Sequence, residues 1–111
     1  MNIVERQVGD VVILDFQGRI VTGEGEKAVR VAASRLADSG ARKLLLNLAD
    51  VSYIDSSIVG EIVRLLTTMR RRGGQLKLLN LPTRIRSLLS TTRLLTVFES
   101  YDSEDEAVRS F

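Results

Sequence analysis

Residues 43–60, KLLLNLADVSYIDSSIVG, decide the fold, because a strand pattern gives way to a helix pattern within them. The run KLLLNL at 43–48 is almost continuously apolar, which is typical of a strand at the centre of its sheet or covered on both faces. Beyond it, apolar residues at helical spacing predict a helix over 56–72, ended by Gly73 and Gly74, with Arg64 and Arg71 in water. Its apolar face comprises Ile58, Ile62, Leu65, Leu66 and Met69.

The segment after this helix, QLKLLN at 75–80, supplies another strand. Strand, helix and strand together form a βαβ unit. Because such crossovers are right-handed in nearly all proteins, the strands at 43–48 and 75–80 are predicted to be parallel.

The chain opens with two apolar-rich segments separated by Gly9 and Asp10, a pair suited to a tight turn. This pattern predicts a β-hairpin whose second strand ends near Gly18. Apolar residues then recur at helical spacing over 23–39, and Gly40 is placed to end the resulting first helix.

The last third of the chain predicts two further helices and a strand. Pro82 suits the first turn of a short helix, where its missing amide costs nothing. TVFESY at 96–101 has a strand pattern, and SEDE at 103–106 is a capping box that opens a C-terminal helix. The order ββαβαβαβα predicts a single α/β domain over residues 1–111, with a mixed sheet, an antiparallel N-terminal hairpin and about four helices.

Composition excludes several classes of function. The chain of 111 residues has 16 Lys and Arg against 14 Asp and Glu, and a net charge of +2 does not indicate a nucleic-acid partner. It contains neither Cys nor His, which removes the usual zinc ligands, the usual nucleophilic thiol and the usual general base. The start MNIVERQVGD does not resemble a signal peptide, and no run is long enough for a membrane span. We therefore expect a soluble, cytoplasmic protein without metal or cofactor.

Two charged or glycine-rich segments have plain structural explanations. Arg70, Arg71 and Arg72 fall in the last turn of a helix, where the helix dipole favours cations, and no aromatic residues interleave with them. GEGEK at 23–27 lacks the spacing and the hydroxyl of a phosphate-binding loop. We interpret it as the entry into the first helix, in a place where a loop can also border a partner surface.

Asp55, Ser56 and Ser57 stand where a parallel strand ends and a helix begins, a location that ligands and partners favour. One interpretation is that Asp55 or a serine caps the helix. The other is that a hydroxyl here carries a regulatory phosphate, which the free amides and the positive end of the helix dipole would accommodate. The two interpretations are compatible.

A hydrolase is a poorer interpretation of the same turn. A nucleophile elbow also places a serine between a strand and a helix, but here no glycine flanks Ser57 in that pattern. Without any His in the chain, nothing obvious would activate the hydroxyl. We therefore expect a binding module rather than an enzyme.

Nearly the whole chain resembles a STAS domain of the anti-sigma factor antagonist type. The resemblance is carried by four stretches: FQGRI, LLLNLADVSYIDSSIVG, NLPTRIRSLL and VFESYDSEDEAV. Proteins of that family capture an anti-sigma factor that is also a serine kinase, and phosphorylation of a hydroxyl just before a helix releases it. The resemblance places the phosphorylated hydroxyl at Ser57, with Ser56 as its rival, and the preceding acid at Asp55. The family commonly continues with glycine, an aliphatic residue and glycine, whereas this chain has Ile58, Val59 and Gly60.

The resemblance also implies a partner and a contact surface. The expected partner is an anti-sigma factor with serine kinase activity, bound by a monomer or weak homodimer that contacts neither nucleic acid nor the membrane interior. The alternative is a non-switching STAS subunit of a stress-signalling scaffold or of a lipid-transport ATPase. The expected contact residues are Asp55, Ser56, Ser57, Ile58 and Val59, together with Gly23, Glu24 and Gly25 of the neighbouring loop.

Overall fold

The computed structural model describes all 111 residues. Five strands form one sheet in the order β1-β2-β3-β4-β5; β1 and β2 pair antiparallel and every other pair is parallel. The mixed sheet, the N-terminal hairpin and the four helices are thus as predicted. The elements are β1 Asn2–Val8, β2 Val11–Ile20, α1 Glu24–Ser39, β3 Lys43–Ile54, α2 Ser56–Arg71, β4 Gln75–Leu79, α3 Thr83–Thr91, β5 Ser100–Tyr101 and α4 Glu104–Arg109.

Two glycines act where the backbone requires them. Gly9 turns the hairpin with a φ of 61°, a left-handed conformation that side chains with a Cβ disfavour. Gly74 precedes β4, where a Cβ would lie 2.7 Å from the carbonyl oxygen of Arg42. The βαβ unit therefore closes through a direct approach of two backbones.

The sheet separates two apolar layers of unequal size. Helices α1, α2 and α3 cover one face with most of the core, and α4 covers part of the other. In β3, Leu44 and Leu46 belong to the larger layer and Leu45 to the smaller, and all three are fully buried. Burial on both faces explains why this strand is almost continuously apolar.

Three strand boundaries differ from the prediction. β3 does not end at residue 48 but continues to Ile54, because its more polar second half pairs with the end of β2, where Ile20 lies opposite Ile54. β2 accordingly also runs past Gly18. The predicted strand at 96–101 is reduced to Ser100–Tyr101, because Phe98 inserts into the core from a turn instead of alternating along a strand.

The buried face of α2 is confirmed. Ile62, Leu65, Leu66 and Met69 are buried against the sheet, whereas Arg64 and Arg71 are exposed. Leu66→Ala is therefore expected to lower the free energy of unfolding by about 2–5 kcal/mol, through lost burial and the cavity left behind. Urea unfolding followed by circular dichroism measures the change, with Arg71→Ala as the exposed control on the same helix. Equal midpoints for the two variants would contradict the assignment of this face to the core.

Candidate functional site

The ends of β2 and β3 bring two loops together at one edge of the sheet. Because the strands are parallel and Ile20 pairs with Ile54, the residues that follow them emerge side by side. Thr22 follows β2, and Asp55 follows β3 directly before α2 begins at Ser56. Parallel α/β folds usually carry their sites here, at the C-terminal ends of their strands.

Asp55 is the N-cap of α2. Its backbone is extended, with φ −103° and ψ 177°, and its carboxylate oxygen Oδ1 accepts a hydrogen bond from the amide of Ile58 at 3.3 Å. This bond satisfies one of the amides that a helix start leaves without a partner. The capping interpretation of the sequence is therefore correct, with Asp55 rather than a serine as the cap.

The same carboxylate also binds two hydroxyl groups. Ser57 Oγ donates to Asp55 Oδ1 at 2.7 Å, while both the amide and the hydroxyl of Thr22 donate to Oδ2, each at 2.8 Å. Thr22 Oγ1 and Ser57 Oγ are themselves 2.8 Å apart. Two hydroxyl hydrogens serve three oxygen–oxygen contacts, so these three side chains form one coupled network.

This network determines the charge of Asp55. The hydroxyl of Ser57, followed by the amide of Thr22, holds the pKa of the Asp55 carboxyl far below its ordinary value of 3.8. Hydrogen bonds to the charged form are the cause, since they favour the carboxylate over the acid. Asp55 is consequently an anion throughout the neutral range and a poor acceptor for a proton.

The two serines of the site differ in their surroundings. Ser57 is half-buried, and its hydroxyl is held between Asp55 and Thr22. Ser56 is exposed and makes no side-chain hydrogen bond. Only Ser57 is therefore presented in a fixed orientation.

The structure divides the remaining expected contact residues into two groups. Gly23 and Glu24 are exposed and directly follow Thr22. Ile58 and Val59, which the sequence places in the docking surface, are 1% and 5% exposed, because the first turn of α2 already packs on the sheet. Ile58 is covered by the sheet, whereas Val59 also lines a surface groove beside α3. Contact of these two residues with a partner stays a prediction.

Gly25 is also buried, and it serves the packing of α1. A Cβ at this position would lie 3.0 Å from Cγ2 of Ile20. Its glycine is thus explained by close contact inside the domain.

Thr22 is the member of this hydrogen-bond network that the sequence did not indicate. It lies 33 positions before Asp55, and only the parallel pairing of β2 with β3 brings the two together. The available signal was a hydroxyl residue two positions after β2, because the neighbouring strand β3 ends at the candidate motif.

No group of three or more His, Cys, Asp or Glu side chains is arranged to hold a metal ion. None of the helices combines the length and the apolar character needed to cross a membrane.

The fold and this site define a STAS domain, and the family model of that domain matches residues 2–107, so the chain belongs to the STAS-domain family. Within it, the chain groups with the anti-sigma factor antagonists, a family of regulatory binding proteins. A protein of Thermotoga neapolitana described as an anti-sigma factor antagonist is 32% identical over 101 residues, which cover 91% of this chain and 89% of the relative.

Solved structures agree with this assignment. The crystal structure of an anti-sigma factor antagonist from Thermotoga maritima superposes with a TM-score of 0.85 at 27% identity, covering 97% of this chain and 92% of the other. The phosphorylated form of SpoIIAA, a Bacillus cell fate determinant, superposes with a TM-score of 0.78 at 21% identity, covering 98% of both chains. At 21% identity, the likeness to SpoIIAA shows a shared fold and carries no statement about function.

Asp55→Asn is expected to destabilise the domain at neutral pH, because an amide offers one acceptor oxygen where the carboxylate offers two. Because the folded-state pKa of Asp55 is lowered, its carboxylate contributes a stability that is complete above the ordinary pKa of 3.8 and is lost as pH falls toward the folded-state pKa. The stability difference between wild type and variant should therefore shrink between about pH 5 and pH 2.

Urea unfolding at a series of pH values measures this difference. Asp38→Asn is the matched control, since Asp38 is exposed on α1 and forms no ion pair. If the stability difference between wild type and Asp55→Asn stays constant down to about pH 2, the network does not hold the carboxylate charged.

Proposed function

We propose that this protein is an anti-sigma factor antagonist controlled by phosphorylation. It captures an anti-sigma factor through the surface formed by Thr22, Gly23, Glu24, Asp55 and Ser57 while Ser57 is unmodified. Phosphorylation of Ser57 by the serine kinase activity of that partner releases it. The observation that carries the proposal is the Ser57 hydroxyl, held 2.7 Å from the Asp55 carboxylate in the first turn of α2. The protein acts in the cytoplasm, where such partners operate.

A phosphate on Ser57 would change the site at two levels. The modified oxygen loses the hydrogen that it donates to Asp55, and the group adds a charge of about −1.5 to −2 beside that carboxylate. The positive end of the α2 dipole and the free amides of its first turn favour an anion in this position. The phosphate is thus tolerated by the helix while the contact between Ser57 and Asp55 is lost.

The same charge is large enough to dissociate a complex. At an effective dielectric constant near 20, a phosphate repels a partner carboxylate about 10 Å away by about 2–3 kcal/mol. Since about 1.4 kcal/mol is a tenfold change in affinity, one modification weakens a modest interface by more than an order of magnitude. No refolding of the domain is needed.

Ser57 is favoured over Ser56 by its contacts. A phosphate on the exposed Ser56 would leave the bonds among Thr22, Asp55 and Ser57 intact, because Ser56 takes no part in them. A phosphate on Ser57 necessarily breaks one of these bonds. Only the second modification therefore couples charge at the surface to the loop that follows β2.

We expect Ser57→Asp to weaken capture of the cognate anti-sigma factor at least severalfold and to leave the thermal midpoint almost unchanged. Ser57→Ala should bind but resist release by kinase and ATP, because it has no hydroxyl to phosphorylate. Isothermal titration calorimetry against each anti-sigma factor of the source organism, purified singly, measures capture. Ser34→Asp adds the same charge at an exposed serine of α1 and is the matched control.

Mass spectrometry of the phosphorylated protein assigns the modified serine, with Ser56→Ala and Ser57→Ala examined separately. If no kinase modifies either serine and Ser57→Asp binds as tightly as wild type, the switch is refuted. A permanent subunit of a stress-signalling scaffold or of a lipid-transport ATPase then becomes the better explanation.

The proposal also includes the absence of catalysis by this chain. The carboxylate beside Ser57 is a weak general base, because its pKa is far below neutrality. We expect no turnover of esters, phosphoesters or nucleotides by the purified protein, as measured by product formation over hours at high protein concentration. Turnover that Ser57→Ala abolishes would contradict this expectation.

A further inference from the structure

An apolar groove lies between the N-terminal half of α2 and helix α3, directly beside the candidate site. Its volume is about 310 Å³, near the lower end of the range for binding pockets, and it is open to solvent. The lining residues are Ser56, Val59, Gly60, Val63, Leu88, Thr92 and Leu94. Apart from the hydroxyls of Ser56 and Thr92, their side chains are aliphatic, whereas the other surface cavities are lined mainly by polar and charged groups.

Gly60 in this groove has no explanation inside the domain. It is exposed, it lies in the body of α2 rather than at a left-handed position, and a Cβ built on it meets no atom within 4 Å. Glycine in a helix interior costs stability relative to alanine. Gly25 and Gly74 differ, because internal contacts at 3.0 Å and 2.7 Å exclude a Cβ at those positions. The open backbone at Gly60 therefore leaves room for close approach by a group outside the domain.

Two arginines without an ion pair adjoin the groove. The carboxylates next to lining residues in the sequence are engaged inside the domain, because Asp55 binds Thr22 and Ser57 and Glu61 pairs with Arg30 and Arg64. Residues 62–98, which include most of α2 and all of α3, contain no Asp or Glu. On α3, Arg84 stands one turn before Leu88, and Arg93 lies between the lining residues Thr92 and Leu94. Neither arginine forms an ion pair within the domain.

We propose that this groove binds an amphipathic helix of the protein partner. The helix places a large aliphatic or aromatic side chain on Gly60 between Val63 and Leu88, and its flanking carboxylates face Arg84 and Arg93. A groove between two helices suits a third helix, which packs its apolar stripe into it. The occupant is thus defined as an acidic helix with an exposed apolar stripe.

The identity of this partner rests on the function proposed above. Ser56 lines the groove and immediately precedes Ser57, so a protein that covers the phosphorylation site also reaches the groove. The groove then supplies affinity that does not depend on Ser57, and the negative charge of phosphorylated Ser57 opposes binding of the partner. A partner bound through both surfaces is released only when the repulsion exceeds the contribution of the groove.

A second copy of this chain is a poorer occupant. The apolar residues of the acidic helix α4 pack on the sheet, where Ala107 is buried and Val108 contacts the second core cluster. The exposed apolar residue of α1, Val31, lies between Lys27 and Arg35, so this helix would bring cations to a basic groove. Neither helix has the required combination of charge and apolar surface.

Two synthetic peptides test the groove without reference to the switch. Both are helical, about 18 residues long, with a leucine stripe flanked by Glu in one and by Lys in the other. Titrated into the ¹⁵N-labelled protein, the Glu peptide should shift the amide signals of Val59, Gly60, Val63, Leu88 and Leu94. The Lys peptide should bind at least about tenfold more weakly, since it brings cations to Arg84 and Arg93.

Substitution of Gly60 supplies the decisive variants. Gly60→Leu places a large side chain inside the groove. It should reduce binding of the Glu peptide and of the anti-sigma factor at least about tenfold. Gly60→Ala, which should raise the thermal midpoint because a Cβ at this position meets no atom within 4 Å, tests a partial filling of the groove. The double variant Arg84→Glu and Arg93→Glu tests the two arginines beside the groove. Its matched control is Arg71→Glu, on an exposed residue of α2 outside the groove.

The outcomes separate this inference from the proposed function. If Gly60→Leu loses binding of the anti-sigma factor while Ser57→Asp binds it fully, the groove is supported and the switch is refuted. If Ser57→Asp loses binding while Gly60→Leu binds fully, the groove alone is refuted. Equal affinity for the two peptides, or signal shifts confined to other surfaces, overturns the inference. Self-association of the wild type that Gly60→Leu abolishes, measured by sedimentation velocity, also overturns it, because the occupant is then a second copy.

Discussion

The burial of β3 on both faces is the constraint on which the rest of the molecule depends. Leu44 and Leu46 face the layer of α1, α2 and α3, and Leu45 faces the layer that α4 covers. A strand buried in this way cannot change its register with β2 or β4 without moving its apolar side chains out of both layers. The position of its C-terminal end, and therefore of Asp55, follows from the core rather than from the loop.

Asp55 combines three tasks in one carboxylate. It caps α2 through Ile58, orients the hydroxyl of Ser57, and ties down the loop after β2 through Thr22. Because both of its oxygens are occupied, a change at Ser57 is felt at Thr22 as well. The carboxylate that caps the helix through Ile58 also holds the hydroxyl of Ser57, so the capping and switching interpretations of the sequence are compatible.

Helix α2 links the two surfaces that a partner would use. Its first turn carries Ser57 and the charge-sensitive contacts, and its next turn carries Gly60 and the open apolar groove. Apolar contact contributes affinity that is insensitive to charge, whereas a phosphate acts through space on whatever is bound nearby. This arrangement also explains why a permanent interface is a natural alternative for the same fold, because the groove has no dependence on Ser57.

Local patterns in the sequence were sufficient for several features. The buried face of α2, the hairpin at Gly9 and the cap at Asp55 each depend on residues within one or two turns of each other. Helical periodicity, turn chemistry and capping are short-range physics, so they can be read without knowledge of the fold. The resemblance to the STAS family depends on four short stretches of this kind that follow one another in the family's order.

Only the tertiary structure decided the features that depend on pairing and burial. The second half of β3 is a strand because β2 lies beside it, and Phe98 leaves the strand pattern because the core accepts it. Ile58 looks like surface in the motif but is buried where α2 meets the sheet. Thr22 reaches Asp55 across 33 positions of sequence because parallel pairing aligns the ends of two strands, a long-range contact that no local pattern encodes.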